Sequence, residues 1–130
     1  MEISRVLETC LYAKDLDAAE RFYTRVLGLQ AFARVEGRHV FFRCGSAVFL
    51  MFNPDETARG GGDVPAHGAH GSGHVAFAVE RADLPEWRGR LEAAGVEIEA
   101  EITWPSGGRS LYFRDPAGNS LELASPEIWR

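Results

Sequence analysis

The sequence predicts an α+β fold built from two tandem β-α-β-β-β modules. Three observations predict it: alternating strand-like and helix-like segments, their near repetition along the chain, and a glycine-rich stretch between the copies. The copies end in related segments, VFFRCGSAVFLMFNP and LYFRDPAGNSLELASP. We therefore predict a single domain over residues 1–130, divided into module 1 (1–54), a loop (55–73) and module 2 (74–126).

Module 1 is predicted to begin with a strand over residues 7–13, followed by a helix. Asp15 is expected to cap the helix and Gly28 to end it. The helix carries an apolar stripe of Leu16, Ala19, Phe22, Tyr23 and Val26. Three strands are predicted to follow, over residues 31–34, 40–43 and 47–52.

Module 2 repeats this order. A strand over 74–79 precedes a helix whose N-terminus is expected to carry a capping box of Asp83 and Glu86. Gly95 is expected to end the helix. The helical stripe is Leu84, Trp87 and Leu91, and the following strands are predicted over 97–102, 110–114 and 120–124.

Two segments are predicted to connect regular elements of secondary structure. Asn53 to Gly73 holds six of the 14 glycines and is predicted to be a long loop, either a linker or a lid that brings His67 or His70 near a pocket. The segment DPAGN, residues 115–119, is predicted to be a turn, because Pro116 suits its second position and Gly118 suits a positive φ.

Composition excludes some functions. The net charge of −5 argues against a nucleic-acid or anionic-membrane partner, which would require a basic patch. No apolar run is long enough to span a bilayer, and the N-terminus lacks the features of a signal peptide. Cys10 and Cys44 lie in apolar segments, which predicts two reduced thiols in a cytoplasmic protein.

Glu8 is the first candidate functional residue. It lies within an apolar run from Val6 to Tyr12 that we expect to form a strand buried on both faces. A carboxylate inside a dry strand costs several kcal/mol unless a charge, a metal or hydrogen bonds compensate it.

The internal repeat relates Glu8 to two further candidates. It aligns Glu8 with His74, and Leu50 with Glu122. Because strand side chains alternate between faces, we expect Glu8, His74 and Glu122 to share one inner face, with Cys10 and Tyr12 beside Glu8. Each residue alone has an ordinary structural explanation, but the matched set predicts a divalent metal site.

The same alternation predicts a ligand-binding wall. Ser110 and Tyr112 share a face, and the repeat pairs them with His39 and Phe41. Such a wall suits a small, partly apolar ligand, although simple core packing would also explain its aromatic residues. The predicted wall consists of Cys10, Tyr12, His39, Phe41, Leu50, Phe52, Ser110 and Tyr112, with Arg109 as the nearest cation.

The chain resembles the vicinal oxygen chelate superfamily. The likeness rests on the paired modules and on DLDAAERFYTRVLGL, GHVAFAV and SLYFRDPAGNSLEL. This superfamily includes glyoxalase I, the fosfomycin-resistance enzymes, extradiol dioxygenases and bleomycin-resistance binding proteins. The resemblance implies a cupped mixed sheet with outer helices and a metal inside. It also implies that His74 and Glu122 are metal ligands, that Glu8 stands where metal-binding members often have His, and that Leu50 stands where glyoxalase I has Glu.

These features predict a metal-dependent enzyme that chelates two neighbouring oxygens of a small molecule, in lyase, isomerase or transferase chemistry. Tyr112 or the carboxylate of Glu8 would handle the proton. A Glu, His, Glu set favours Mn²⁺, Fe²⁺ or Mg²⁺, with Zn²⁺, Ni²⁺ and Co²⁺ also open. The alternatives are a metal-free binding protein of the bleomycin-resistance type and an extradiol dioxygenase.

We also predict a homodimer. One module buries only one side of its sheet, so modules must pair. The resemblance to glyoxalase I and the fosfomycin enzymes favours pairing between chains, with Glu8 facing His74 and Glu122 of the other chain.

Overall fold

A computed structural model describes residues 1–130, which form two units, Met1–Gly71 and Ser72–Arg130. Each unit contains one four-stranded mixed sheet and few helices. The predicted α+β fold class is therefore confirmed. None of the helices is both long and apolar enough to cross a membrane.

Unit 1 has its first strand in the same sheet as its last. Its strands are β1 (Glu8–Tyr12), β2 (Gln30–Val35), β3 (His39–Cys44) and β4 (Ala47–Phe52). Its helices are α1 (Leu16–Arg21), which runs into a π-helical turn over Phe22–Val26, and the short α2 (Pro54–Thr57). The strand order is β1-β4-β3-β2, with β1 parallel to β4 and the other pairs antiparallel.

Unit 2 repeats this topology. Its strands are β5 (His74–Ala78), β6 (Ala100–Thr103), β7 (Arg109–Arg114) and β8 (Ser120–Ala124). A 3₁₀ turn over Arg81–Asp83 leads into α3 (Leu84–Ala93), and a second one covers Pro126–Trp129. The order β5-β8-β7-β6, with β5 parallel to β8, matches that of unit 1.

The core of unit 1 is aromatic. Tyr23 is fully buried, and its ring lies 5.4 Å from that of Phe42 and 5.1 Å from that of Phe49. The predicted ends of the helical segment are confirmed: Asp15 Oδ1 accepts a hydrogen bond from Ala18 N, and Gly28 has a φ of 74°. Only glycine adopts that backbone conformation without strain.

The core of unit 2 consists mainly of leucines, with one phenylalanine. Leu84 and Leu91 of α3 are buried, as are four residues of the central strands. These four are Leu111, Phe113, Leu121 and Leu123. An ion pair between Arg88 and Glu101 connects α3 to β6 on the same side of the sheet. Burial of these alternate residues leaves the other face of the sheet for polar side chains.

Three predictions about local structure are wrong. Asp83 makes no side-chain capping hydrogen bond, because the 3₁₀ turn already leads the backbone into α3. The strand predicted from residue 97 begins only at Ala100. Glu8 is exposed rather than buried, because β1 is an edge strand that pairs only with β4.

The glycine-rich segment is partly ordered by hydrogen bonds. Asn53 caps α2 by accepting from Asp55 N at 3.1 Å, and His67 N donates to Thr57 O at 3.1 Å. A Cβ atom at Gly68 would lie 2.9 Å from Pro54 O, so glycine is required where the segment returns to α2. These contacts hold His67 against the rest of unit 1.

Candidate metal and ligand site

A carboxylate lies buried on the polar face of unit 2. Glu122, in the central strand β8, is only 5% exposed and sits between Ala76 and Tyr112 on the neighbouring strands. Ser110 is one strand position away on the same face and is fully buried. This arrangement follows from the alternation of strand side chains, because Leu121 and Leu123 fill the core on the other face.

Hydrogen bonds fix one oxygen of this carboxylate. Ser110 Oγ donates to Glu122 Oε2 at 2.5 Å, and Trp104 Nε1 donates to Ser110 Oγ at 2.9 Å. The Ser110 hydroxyl thereby satisfies Oε2, and the Trp104 indole orients that hydroxyl, so together they hold the carboxylate plane. The other oxygen, Oε1, faces His74.

The imidazole of His74 presents a nitrogen to that oxygen. His74 Nδ1 lies 2.9 Å from the carbonyl oxygen of Ser120, and Nε2 lies 3.4 Å from Glu122 Oε1. A carbonyl only accepts hydrogen bonds, so Nδ1 donates to it, and Nε2 is the ring nitrogen that faces Glu122. Two ligands at about 2.1 Å from one tetrahedral ion stand about 3.4 Å apart, so the pair fits a divalent metal.

The DPAGN turn supports the position of His74. Asp115 is buried and accepts from the backbone of Ala117 and Asn119, both at 2.9 Å. Asn119 Oδ1 in turn accepts from Gly73 N at 2.9 Å, immediately before His74. The predicted turn is confirmed, with Gly118 at a φ of 86°. It holds the starts of β5 and β8 together, where the imidazole meets the Ser120 carbonyl.

Tyr112 lies beside both groups. Its ring stacks against that of His74, with a centroid distance of 6.4 Å. Burial raises the pKa of the Tyr112 hydroxyl, and the negative charge of Glu122 raises it further. Tyr112 therefore keeps its proton at neutral pH and can donate it, but it cannot serve as a base there.

Removal of the Ser110 hydroxyl tests this network. We expect Ser110→Ala to weaken Mn²⁺ binding by about 10–100-fold, because the orienting donor to Glu122 is lost. The variant should also lower the free energy of unfolding by about 1–3 kcal/mol, because Oε2 stays buried without its partner. Calorimetric titration and urea unfolding measure the two effects. Ser120→Ala, which keeps the backbone carbonyl under His74, is the control and should bind Mn²⁺ normally.

In the sheet of unit 1, the face equivalent to the polar face of unit 2 carries mainly aromatic side chains, which we call the aromatic wall. The strand register places Tyr12, Phe52 and His39 in one row, and Cys10, Leu50 and Phe41 in the next. His39 stacks on Phe41 at 4.0 Å, and Phe52 contacts both rings edge-on, at 5.8 and 5.5 Å. The structure therefore brings together the six wall residues predicted in this half of the chain.

Two further side chains join this wall. His67 Nδ1 lies 2.7 Å from the Tyr12 hydroxyl, as expected if the loop approaches a pocket. Arg38 Nη1 donates to His39 Nδ1 at 2.6 Å, and its guanidinium lies 5.6 Å from the centre of the Phe52 ring. Sequence reasoning missed Arg38, although its position next to His39 was an available signal.

Two other predicted residues do not belong to these groups. Arg109 and Ser110 are adjacent in β7, so their side chains lie on opposite faces of the sheet. The guanidinium of Arg109 lies on the helix side and pairs with Glu101 at 2.7 Å. It therefore does not share the face of Ser110 and Tyr112. Glu8 is exposed on unit 1, whereas His74 and Glu122 belong to unit 2. Neither unit holds a group of three side chains suited to a metal.

Comparison with known proteins identifies the family. Residues 5–123 match the Glyoxalase/Bleomycin resistance protein/Dioxygenase superfamily. The chain belongs to this superfamily. The crystal structure of lactoylglutathione lyase from Agrobacterium tumefaciens superposes with a TM-score of 0.95 at 43% identity, covering 99% of this chain and 98% of that one.

Relatives among characterised proteins carry enzyme names. The chain is 34% identical to glutathione transferase FosA of Serratia marcescens, over 87% of this chain and 74% of that protein. It is 29% identical to metallothiol transferase FosB of Bacillus licheniformis, over 88% of this chain and 71% of that protein. The predicted superfamily is thus confirmed, and the relatives agree with a small-molecule enzyme of this superfamily.

Proposed function

We propose that this protein is a divalent-metal-dependent enzyme acting on a small thiol-derived molecule, in lyase, isomerase or transferase chemistry. This proposal rests mainly on one observation: Nε2 of His74 lies 3.4 Å from the buried carboxylate of Glu122. The relatives named as a glutathione transferase, a metallothiol transferase and a lactoylglutathione lyase support the thiol part of this proposal.

In this proposal His74 and Glu122 hold the ion, which would act as a Lewis acid toward oxygens of the substrate. The chain's own residues do the remaining work. Ser110 and Trp104 keep the Glu122 carboxylate oriented. Tyr112, held in its protonated form by burial and by the charge of Glu122, donates a proton to an oxygen on which negative charge develops.

Glu8 is proposed as the third protein ligand or as the base, supplied by a second copy of the chain. Two donors leave the unit 2 site short of the three that catalytic metal centres use. Glu8 is exposed at the start of β1 and makes no ion pair in the structure. A homodimer would bring such a carboxylate to each site.

The two cysteines, Cys10 and Cys44, form no disulfide, which supports a reducing, cytoplasmic location for the protein.

The experiment is a turnover assay on metal-stripped and reloaded protein. One arm follows thioester formation from glutathione and a 2-oxoaldehyde, and the other follows loss of free glutathione with a small epoxide. We expect one arm to show turnover that chelation abolishes and that Mn²⁺, Fe²⁺, Mg²⁺, Ni²⁺, Co²⁺ or Zn²⁺ restores. Tyr112→Phe should lower kcat by about 10²–10⁴-fold while retaining the metal, because it lacks the donated proton.

Turnover that persists in chelated, metal-free protein would contradict the proposed role of the ion. Bound metal without turnover in either arm would reject the thiol-derived substrate. A chain that neither holds metal nor turns over substrate would instead fit a binding protein.

A further inference from the structure

Arg38 is a cation without an acidic partner. It is half-buried in the turn before β3, and its contacts are the ring of Phe52 and the imidazole of His39. The nearby acids are already paired: Asp55 with Lys14 at 3.5 Å and His70 at 3.6 Å, and Glu36 with Arg34 at 3.3 Å. A guanidinium has five N–H donors, and Arg38 uses one of them in the hydrogen bond to His39. Most of its donors therefore remain for a ligand.

His39 supplies a second donor next to it. Its Nδ1 accepts from Arg38, so the proton of the neutral ring is on Nε2. Burial, together with the charge of Arg38, lowers the pKa of His39 and keeps the ring neutral at pH 7. Stacking against Phe41 at an interplanar angle of 9° fixes its orientation.

Tyr12 and His67 complete the polar rim on the other side of Phe52. The His67 ring lies 4.7 Å from that of Phe52 and is hydrogen-bonded to the Tyr12 hydroxyl. Burial raises the pKa of Tyr12, which therefore remains a neutral group. Glu8 is the acid on this face, and it lies beside Val48 in the sheet. Val48 is four residues before Phe52 in β4, and a strand rises about 3.3 Å per residue, which sets the separation between Glu8 and the Phe52 end of the wall. That separation exceeds the screening length at physiological salt, so Glu8 does not neutralise Arg38.

We propose that the aromatic wall of unit 1 is a recognition subsite for the carboxylate of a ligand with a flat apolar body. Arg38 grips the carboxylate with its planar fork, His39 adds a neutral donor, and Phe52 and Phe41 contact the apolar body. The positive charge and the planar shape of the guanidinium both suit a carboxylate, because the two groups can form two parallel hydrogen bonds. This inference adds a substrate class to the proposed function. It rests on that function in one respect only, namely that the wall is a substrate-binding surface.

The experiment titrates phenylacetate into metal-free protein and follows the imidazole NMR signals of His39 and His67. Phenylacetamide, which has the same shape without the charge, is the second probe. We expect phenylacetate to bind with a Kd of about 1–10 mM, as befits a fragment, and the amide to bind at least about tenfold more weakly. Arg38→Gln should weaken phenylacetate binding about tenfold, and Arg38→Lys by less, because it keeps the charge but loses the fork.

Arg43→Gln is the matched control. Its guanidinium also lies over a phenylalanine, 3.9 Å from the centre of the Phe32 ring, but it has no hydrogen bond to a histidine. We expect phenylacetate to bind this variant normally. Equal affinity for acid and amide, unchanged binding in Arg38→Gln, or no saturable shift of His39 would each overturn the proposal. Because no metal is present, these outcomes are separate from a failure of the proposed enzymatic function.

Discussion

Replacing His74 with alanine is expected to weaken Mn²⁺ binding by more than about 100-fold, because the site loses its nitrogen donor. Glu122→Gln should have a similar effect, because the amide retains the size of the carboxylate but neither its charge nor its affinity for hard cations. Calorimetric titration and elemental analysis of purified protein measure the loss. Wild-type protein should carry about one ion per chain.

His70→Ala is the matched control for this prediction. His70 is exposed and lies 3.6 Å from Asp55, and neither residue is proposed to hold the ion. This variant should bind Mn²⁺ normally. Stoichiometric metal in both His74→Ala and Glu122→Gln would rule out the site.

The same measurement on mixed variants defines the role of Glu8. Glu8→Ala and His74→Ala proteins are each expected to be deficient in metal. If the site is shared between chains, each mixed dimer should regain one of its two sites after subunit exchange, which is about a quarter of all sites in an equal, fully exchanged mixture. Verified heterodimers without recovery would reject a shared site. Full metal occupancy in Glu8→Ala alone would instead show that Glu8 is not a ligand, which leaves it as a base or as a residue that supports the ligands.

The second large effect concerns stability. Phe42→Ala should lower the free energy of unfolding by about 3–5 kcal/mol, because it empties a fully buried position between Tyr23 and Phe49. Its neighbour Phe41 points to the opposite face, where it stacks on His39. Phe41→Ala should therefore cost less than about 2 kcal/mol. Urea unfolding followed by circular dichroism gives both values, and equal losses would contradict the assignment of faces.

Strand alternation and the internal repeat predicted most of the fold. The bounds of β4 and β8 match the predicted strands, because Ala47–Phe52 and Ser120–Ala124 end at clear turn signals. The proximity of His74 and Glu122 also followed from the repeat, because both lie on the same face of paired strands. Periodicity identifies faces well when one face is uniformly apolar.

Other features depend on geometry that a single sequence does not encode. The apolar neighbours of Glu8 predict that it is buried, but an edge strand exposes such residues. Arg109 is next to Ser110 in sequence, yet alternation directs it to Glu101. Arg38 gains its position from a turn, so no strand pattern included it, and its contact with Phe52 requires the register between β3 and β4.

The parallel pairing of β1 with β4 has a consequence for synthesis on the ribosome. Glu8 pairs with Val48, so the first strand made in unit 1 is joined to the last. The β2-β3-β4 meander consists of local antiparallel pairs, whereas β1 must wait for a distant partner, and distant contacts form slowly. While translation proceeds from β1 to β4, the emerging chain carries one strand without hydrogen-bond partners. A ribosome that stalls before β4 therefore presents that unpaired strand to chaperones and to neighbouring nascent chains.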